Sequence, residues 1–101
     1  MAKKKVTIEW SRPASGHFQE LLEYLHIESE SASAAVGAGI LDEIGKLETH
    51  PTAYPLDRFK KKNDGNYRAL IVFSYRISYY INVDTVFILR IRHTSREPLE
   101  H

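Results

Sequence analysis

The chain has no cysteine, a single tryptophan and a single methionine among its 101 residues. The absence of cysteine excludes disulfide frameworks, thiolate nucleophiles and cysteine-ligated zinc sites. No fully apolar run approaches the roughly 20 residues that a membrane-spanning helix needs. The basic start of the chain is not followed by an apolar segment long enough for a signal peptide. These absences indicate a small soluble protein, which we expect to be cytoplasmic.

The length predicts one domain, since domains most often contain roughly 100–150 residues. We assign residues 1–98 to this domain. The last three residues, 99–101, resemble the remnant of a cloning site and a histidine tag, so they are left out of the fold prediction.

The net charge is only +1, but the charges are distributed unevenly along the chain. Residues 1–50 carry five Lys or Arg and eight Asp or Glu, whereas residues 51–101 carry nine and five. A basic half favours an anionic partner, either a nucleic acid or an acidic protein segment. Composition alone is equally compatible with a mixed surface that has no partner.

The first half of the sequence has one strand pattern followed by two helix patterns. Residues 6–10 alternate apolar and polar side chains, which predicts a short strand with one buried face. Ser11-Arg12-Pro13 is a helix-start signal. Apolar residues then recur at helical spacing over Phe18–Leu25 and again over Val36–Leu47. Two helices with a short polar link predict an antiparallel helical hairpin.

The second half is rich in β-branched and aromatic residues. Three strands are predicted, over residues 67–73, 76–82 and 85–93, with short breaks at Ser74-Tyr75 and Val83-Asp84. Such short connections are typical of an antiparallel meander. The predicted order is β-α-α-β-β-β, an α+β fold in which a helical hairpin packs on one face of an antiparallel four-stranded sheet.

Alternation of side chains along the strands predicts which residues lie on the face that the helices leave uncovered. This face is predicted to carry four arginines with two polar side chains between them: Arg68, Arg76, Arg90, Arg92, Ser78 and Tyr80. It is also predicted to carry four aliphatic residues: Leu70, Val72, Val86 and Ile88. One interpretation is a solvated face whose arginines pair with Asp64 or Asp84. The other is a docking surface, because so much aliphatic area is normally covered and arginine binds phosphate and carboxylate groups.

His93 and Arg96 follow at the end of the last predicted strand. His93 is a candidate for proton transfer, because the ordinary pKa of histidine lies near neutral pH; a structural role for it stays open. The remaining histidines share no metal-ligand spacing, and phosphate-loop and Ser-His-Asp signatures are absent. We therefore expect no metal site and no cofactor.

The element order and the C-terminal segment resemble the RelE/ParE superfamily of bacterial type II toxins. The resemblance is carried by the segment Tyr75–Tyr79 (YRISY), by Asp84 in a turn, and by the aliphatic strand that ends in Arg90–His93 (RIRH). It implies a toxin that a cognate antitoxin neutralises in a hetero-oligomer. Binding to the antitoxin or the target is then expected at Arg68, Arg76, Tyr80, Arg90 and Arg92.

The superfamily contains members with two kinds of target. RelE-like members cut messenger RNA on the ribosome, whereas ParE-like members inhibit DNA gyrase. By resemblance to the RelE type, Arg76 and Arg96 would contact phosphate and His93 would transfer a proton. Arg68 and Leu70 stand where that type has two lysines, and the ending resembles ParE-like chains.

Our first hypothesis is therefore a ParE-like toxin that inhibits gyrase and is not an enzyme in the nuclease sense. The alternatives are a ribosome-dependent mRNA endoribonuclease and a non-toxic remnant of the fold that binds only an antitoxin.

Overall fold

A computed structural model describes residues 5–96. The elements, in chain order, are β1 (Thr7–Trp10), α1 (Arg12–Glu28), α2 (Glu30–Gly45), a 3-10 turn (Lys46–Glu48), β2 (Tyr67–Val72), β3 (Tyr75–Asn82), β4 (Thr85–His93) and a second 3-10 turn (Thr94–Arg96). The predicted tag remnant at 99–101 lies outside the described residues, as do both ends of the predicted domain. None of the helices within residues 5–96 has the length and hydropathy of a membrane-spanning segment.

The four strands form one sheet in the order β1-β4-β3-β2. The predicted α+β architecture is confirmed, but the prediction of a fully antiparallel sheet is wrong, because β1 pairs with β4 in parallel. Two-residue turns force β2, β3 and β4 to alternate in direction. No turn links β1 to β4. The direction of β1 is therefore set by the path of the two helices and of the segment that precedes β2.

The helical hairpin packs on one face of the sheet and forms the core with it. Ser29 ends α1 and caps α2, its side chain accepting a hydrogen bond from the Ala32 N–H at 3.1 Å. At Gly37 a Cβ atom would lie 3.0 Å from the Leu22 side chain, so glycine allows the two helices to approach closely. The buried core includes Leu21 from α1, Ile40 from α2, and Tyr79 from β3.

A β-bulge in β4 decides which of its side chains face the helices. Ser78 of β3 pairs with Arg90, but the next residue, Tyr79, pairs with Ile88, so Leu89 has no cross-strand partner. The extra residue reverses the alternation. Ile88 faces the core before the bulge, Ile91 faces it after the bulge, and both are buried.

Two predictions about the faces of β4, those for Val86 and Ile88, are corrected by this geometry. Val86 and Ile88 lie in the core, because the bulge shifts the alternation of β4 between Ile88 and Ile91. Arg90 and Arg92 lie on the uncovered side, as predicted, since they pair with Ser78 and Arg76 of β3.

The prediction for β2 is wrong in full. Arg68 pairs with the core residue Tyr79, and Leu70 pairs with Ile77, so Arg68, Leu70 and Val72 lie on the helix side. The guanidinium of Arg68 donates to the Tyr54 carbonyl oxygen at 2.7 Å, at the margin of the core. The aliphatic part of an arginine side chain can lie on an apolar face while the guanidinium reaches a polar group beyond that face. The charge of Arg68 was therefore not evidence that its side chain lies on the uncovered face.

Beyond Trp10, the side chains of Ser11 and His17 take over the hydrogen bonding of the β4 edge. The Ser11 hydroxyl donates to the Leu89 carbonyl oxygen at 2.9 Å and also caps α1 by accepting from the Ala14 N–H at 3.1 Å. The Ile91 N–H donates to Nδ1 of His17 at 3.2 Å. Burial lowers the pKa of His17, as do the guanidiniums of Arg92 and Arg90, while Glu20 acts in the opposite direction.

The turn between β3 and β4 contains a strained residue. Val83 has a φ of 56° and is 91% exposed. A β-branched residue in the left-handed region is an outlier. Val83→Gly is therefore expected to raise the free energy of unfolding by about 1 kcal/mol, measured by urea denaturation. Val83→Thr keeps the branch and serves as the control, and an equal gain from both variants would contradict the strain.

His17 makes the stability depend on pH. A lowered pKa means that the folded state binds fewer protons than the unfolded state, so stability falls as the pH drops below about 6.5. His17→Asn keeps an acceptor oxygen without a titrating ring. We expect the unfolding free energy of this variant to fall less than that of the parent between about pH 7.5 and 5. Equal pH profiles in urea denaturation would contradict this role.

Candidate binding face

The side of the sheet opposite the helices, which we call the open face, includes three rows of cross-strand neighbours on β2, β3 and β4. The first row is aromatic, the second contains small residues, and the third contains arginines. In the order β2, β3 and β4 the rows are Tyr67, Tyr80 and Phe87; Ala69, Ser78 and Arg90; and Ile71, Arg76 and Arg92.

The middle row lies beneath a short segment that precedes β2. Ala69 and Ser78 are buried although no helix lies on this side. The backbone N–H of Asp57 donates to the Tyr67 carbonyl oxygen at 2.9 Å, which attaches the segment to the edge of β2. Phe59 then lies against Arg76, whose guanidinium carbon is 4.8 Å from the ring centroid. The segment therefore covers the centre of the open face.

Asp57 places a carboxylate among the arginines of this face. Its side chain is almost fully buried, and Oδ1 lies 4.0 Å from Nη1 of Arg76. The same oxygen accepts a hydrogen bond from the Phe59 N–H at 3.0 Å, which fixes the carboxylate in place. The sequence suggested Asp64 or Asp84 as partners of the arginines. In the structure, Asp57 forms an ion pair with Arg76 on this face.

Three arginines of the open face, Arg76, Arg90 and Arg92, lie on neighbouring strands. Asp57 is 4.0 Å from Arg76 and acts electrostatically on Arg90, which Arg92 repels. Burial and the neighbouring Arg92 lower the pKa of Arg90, and Asp57 acts in the opposite direction. The face therefore favours an anionic ligand, which would relieve the mutual repulsion of the arginines.

The covering segment adds further cations beside the aromatic row. The Arg58 guanidinium lies 4.7 Å from the centroid of the Phe59 ring, and the Lys60 ammonium lies 4.6 Å from that of Tyr67. The rings of Tyr67 and Tyr80 are 4.4 Å apart. The predicted binding residue Tyr80 is thus part of this face, together with Arg76, Arg90 and Arg92. Arg68 is not, because it lies on the helix side.

Arg68 instead holds the segment before β2 against the core. Arg68 donates to the Tyr54 carbonyl oxygen, as described above. The hydroxyl of its cross-strand neighbour, Tyr79, donates to the Pro51 carbonyl oxygen at 2.7 Å. Burial raises the pKa of Tyr79 to about 12. Both side chains satisfy carbonyl groups of residues 51–54, which gives Arg68 a structural role.

The other predicted candidates, His93 and Arg96, lie at the end of β4. His93 pairs with Tyr75, and the two rings meet edge to face with centroids 5.2 Å apart. Successive residues of a strand point to opposite faces, and Tyr75 packs against the core. His93 therefore lies on the helix side, whereas Arg76 lies on the open face, and the structure does not bring the three residues of the nuclease hypothesis into one cluster.

Sequence analysis missed Asp57, Phe59 and His17. The signal that could have identified Asp57 is its position as a single acidic residue immediately before the basic run Arg58–Lys62, where a carboxylate is a candidate counter-ion. No local pattern identifies His17 or Phe59, since each contacts a strand that is far away in sequence.

The comparisons with known proteins concern the whole of this fold. Residues 8–98 match the model of a family described as the ParE toxin of the type II toxin–antitoxin system parDE. No curated protein sequence matches the chain at a significant level.

Two solved structures are similar to the chain in fold. One comes from the chromosomal ParDE system of P. aeruginosa, with 14% identity, a TM-score of 0.70, and coverage of 90% of this chain and 98% of that one. The other comes from the toxin–antitoxin complex RelBE2 of Mycobacterium tuberculosis, with 21% identity, a TM-score of 0.58, and coverage of 88% and 91%. These two structures show the same fold, and the family match over residues 8–98 shows that the chain belongs to the ParE toxin family of type II toxin–antitoxin systems.

Proposed function

We propose that this toxin inhibits DNA gyrase and is neutralised by a cognate antitoxin, with which it forms a hetero-oligomer. The match to the ParE family model over residues 8–98 supports the choice of target class. The observation that carries the binding part of the proposal is the open face, where Arg76, Arg90 and Arg92 lie on adjacent strands and the buried carboxylate of Asp57 lies 4.0 Å from Arg76.

The chemistry of the open face suits an acidic, amphipathic segment of the antitoxin. The arginines and Lys60 offer sites for carboxylates, and Ile71, which is 57% exposed, offers apolar area on the same face. A segment that joined these cations would remove their mutual repulsion and cover the exposed isoleucine at once. The same surface would then be withheld from the target.

The placement of the arginines favours gyrase inhibition over RNA cleavage. The two positions that match lysines of the RelE type are Arg68, which holds the segment before β2, and Leu70, which is buried. Neither offers a basic side chain on the open face. Arginine is also a poor general base, because it stays protonated at neutral pH.

A second candidate function, ribosome-dependent cleavage of messenger RNA, has one observation in its favour. Arg92, His93 and Arg96 line a common groove at the end of β4. Histidine and arginine in one groove are the residue types that phosphodiester cleavage requires for proton transfer and for charge stabilisation.

The target is tested with the purified toxin and with induced expression. We expect the toxin to stabilise gyrase-linked DNA breaks in a supercoiling assay, and its expression to halt growth with an SOS response while transcripts stay intact. Codon-biased transcript cleavage without DNA breaks would overturn the proposal in favour of the endoribonuclease. Normal growth with folded protein would leave only an antitoxin-binding remnant.

Arg90→Gln tests the open face and leaves the ion pair between Asp57 and Arg76 in place. A charge-assisted hydrogen bond contributes about 1.5–3 kcal/mol, so we expect affinity for the antitoxin to fall roughly tenfold or more, measured by calorimetry. Arg12→Gln makes the same charge change on an exposed residue of α1 and serves as the control. Equal losses in both variants would indicate a nonspecific charge effect and contradict the assignment.

Arg76→Ala tests the role of the ion pair in folding. The substitution removes the guanidinium that pairs with the buried Asp57 carboxylate. We expect this loss to lower the unfolding free energy by about 3 kcal/mol. The double variant Asp57→Ala/Arg76→Ala removes both charges and is expected to be destabilised less than the sum of the single variants. Additive losses in urea denaturation would show that the two side chains are not coupled.

A further inference from the structure

The solvent side of α1 carries large apolar side chains between glutamates. Tyr24 is 68% exposed and Ile27 is 83% exposed. Glu20 and Glu23 are three or four residues away from them, so these four side chains share the side of the helix opposite the buried Leu21. We call these four residues the α1 stripe. Neither glutamate forms an ion pair with another described residue, so the stripe is amphipathic, acidic and exposed to solvent.

The two layers of the fold carry charges of opposite sign. The helical hairpin, residues 12–45, contains one Arg and six Asp or Glu, a net charge of −5. Residues 57–96, which include the covering segment and strands β2 to β4, contain nine Lys or Arg and three Asp or Glu, a net charge of +6. The whole chain has a net charge of only +1. Repulsion between copies is therefore weak, whereas the helical layer of one copy attracts the sheet of another.

The open face complements the α1 stripe in charge and in apolar area. Its arginines lie on neighbouring strands, and the ammonium group of Lys60 lies 4.6 Å from the centroid of the Tyr67 ring. Ile71 of the same face is 57% exposed and offers apolar area to a residue such as Ile27. An acidic amphipathic helix matches both features, and α1 of a second copy is such a helix.

We propose that copies of this chain associate head to tail, with the α1 stripe of one copy docked on the open face of the next. The helices cover one side of the sheet and the open face is the other side, so one copy cannot place its own stripe on its own open face. The contact is therefore heterologous and is not closed by two-fold symmetry. Each added copy leaves one stripe and one open face unoccupied, so further copies can add.

The dimensions of the two surfaces agree. The α1 stripe extends about 12 Å along the helix, and three neighbouring strands of the open face extend about 10 Å across the sheet. A contact of this size is smaller than a standard protein interface. We therefore expect weak association, with a dissociation constant of about 10–100 μM that rises with salt.

The association uses the surface that we propose for the antitoxin, but it requires neither the antitoxin nor gyrase. An acidic antitoxin segment on the open face would compete with the α1 stripe and return the toxin to single copies. The tests below use only the isolated chain. Self-association can therefore fail while antitoxin binding and gyrase inhibition succeed, or the reverse.

The first test is sedimentation velocity of the full chain at increasing protein concentration. At about 0.05 M NaCl we expect the weight-average mass to rise past that of a dimer without a plateau, and at about 0.5 M NaCl we expect it to fall to that of the monomer. A monomer at every concentration in low salt would overturn the proposal. A plateau at the dimer mass would show a closed, symmetric interface and would also contradict it.

Mixing two variants tests whether different surfaces meet. Glu20→Gln/Glu23→Gln alters the α1 stripe, Arg90→Gln alters the open face, and each alone is expected to weaken self-association about tenfold. In a mixture, the intact open face of the first variant meets the intact stripe of the second, so 1:1 dimers are expected at concentrations where each alone is a monomer. A mixture that associates no better than its components would overturn the proposal.

Two control variants complete the design. Asp42→Asn/Glu48→Gln removes two carboxylates outside the stripe and is expected to leave self-association unchanged; a loss equal to that of the stripe variant would show a nonspecific charge effect. Ile27→Thr is expected to weaken self-association about fivefold. Val83→Thr makes a similar change at a residue that is 91% exposed in the β3–β4 turn and is expected to have no effect. Equal effects of these two substitutions would contradict the apolar contact.

Discussion

The β-bulge at Leu89 is the constraint on which the arrangement of the whole molecule depends. It lets β4 direct Ile88 and Ile91 into one core while Arg90 and Arg92 point to the opposite side. An uninterrupted strand cannot do this, because residues 88, 90 and 92 would share a face. The bulge costs ladder hydrogen bonding at one residue, and Ser11 compensates by donating to the Leu89 carbonyl oxygen.

The same junction connects the sheet, the helical hairpin and the open face. Ser11 follows the last residue of β1, caps α1 and bonds the bulge, so the start of the helix is fixed relative to β4. His17, six residues further along the chain, accepts from the backbone just beyond the bulge. This docking forms one wall of the groove at the end of β4. On the other side of the sheet, the displaced alternation brings Arg90 and Arg92 beside Arg76 and Asp57.

Much of the fold could be predicted from the sequence, because its patterns are local. The two helices follow from apolar spacing and from Ser11 and Ser29 as caps, and β4 was predicted with its observed bounds. The direction of β1 could not be predicted, because it depends on a path of more than fifty residues. The bulge could not be predicted either, since Leu89 is an aliphatic residue in an aliphatic strand.

The residues of the open face could be predicted only where they follow from a local sequence pattern. Arg76 and Tyr80 were placed correctly because β3 alternates cleanly between apolar and polar residues. Arg68 was misplaced because β2 has aliphatic residues on both faces. Ala69 and Ser78 are buried by the segment around Asp57 and Phe59, which looks in sequence like part of a solvated basic loop. Its contact with the sheet includes an ion pair between residues 19 positions apart, which no local pattern shows.

The alternation across Leu89 is measured most directly by single-cysteine scanning, which is clean because the chain has no cysteine of its own. A thiol reagent is expected to modify Arg90→Cys and Arg92→Cys, at half-buried positions, faster in the folded protein than Ile88→Cys and Ile91→Cys, at buried positions. Equal protection at positions 88, 90 and 92, with rapid modification at 91, would show an uninterrupted strand. The arginines would then lie beneath the helices, and the open face would not be a cationic surface.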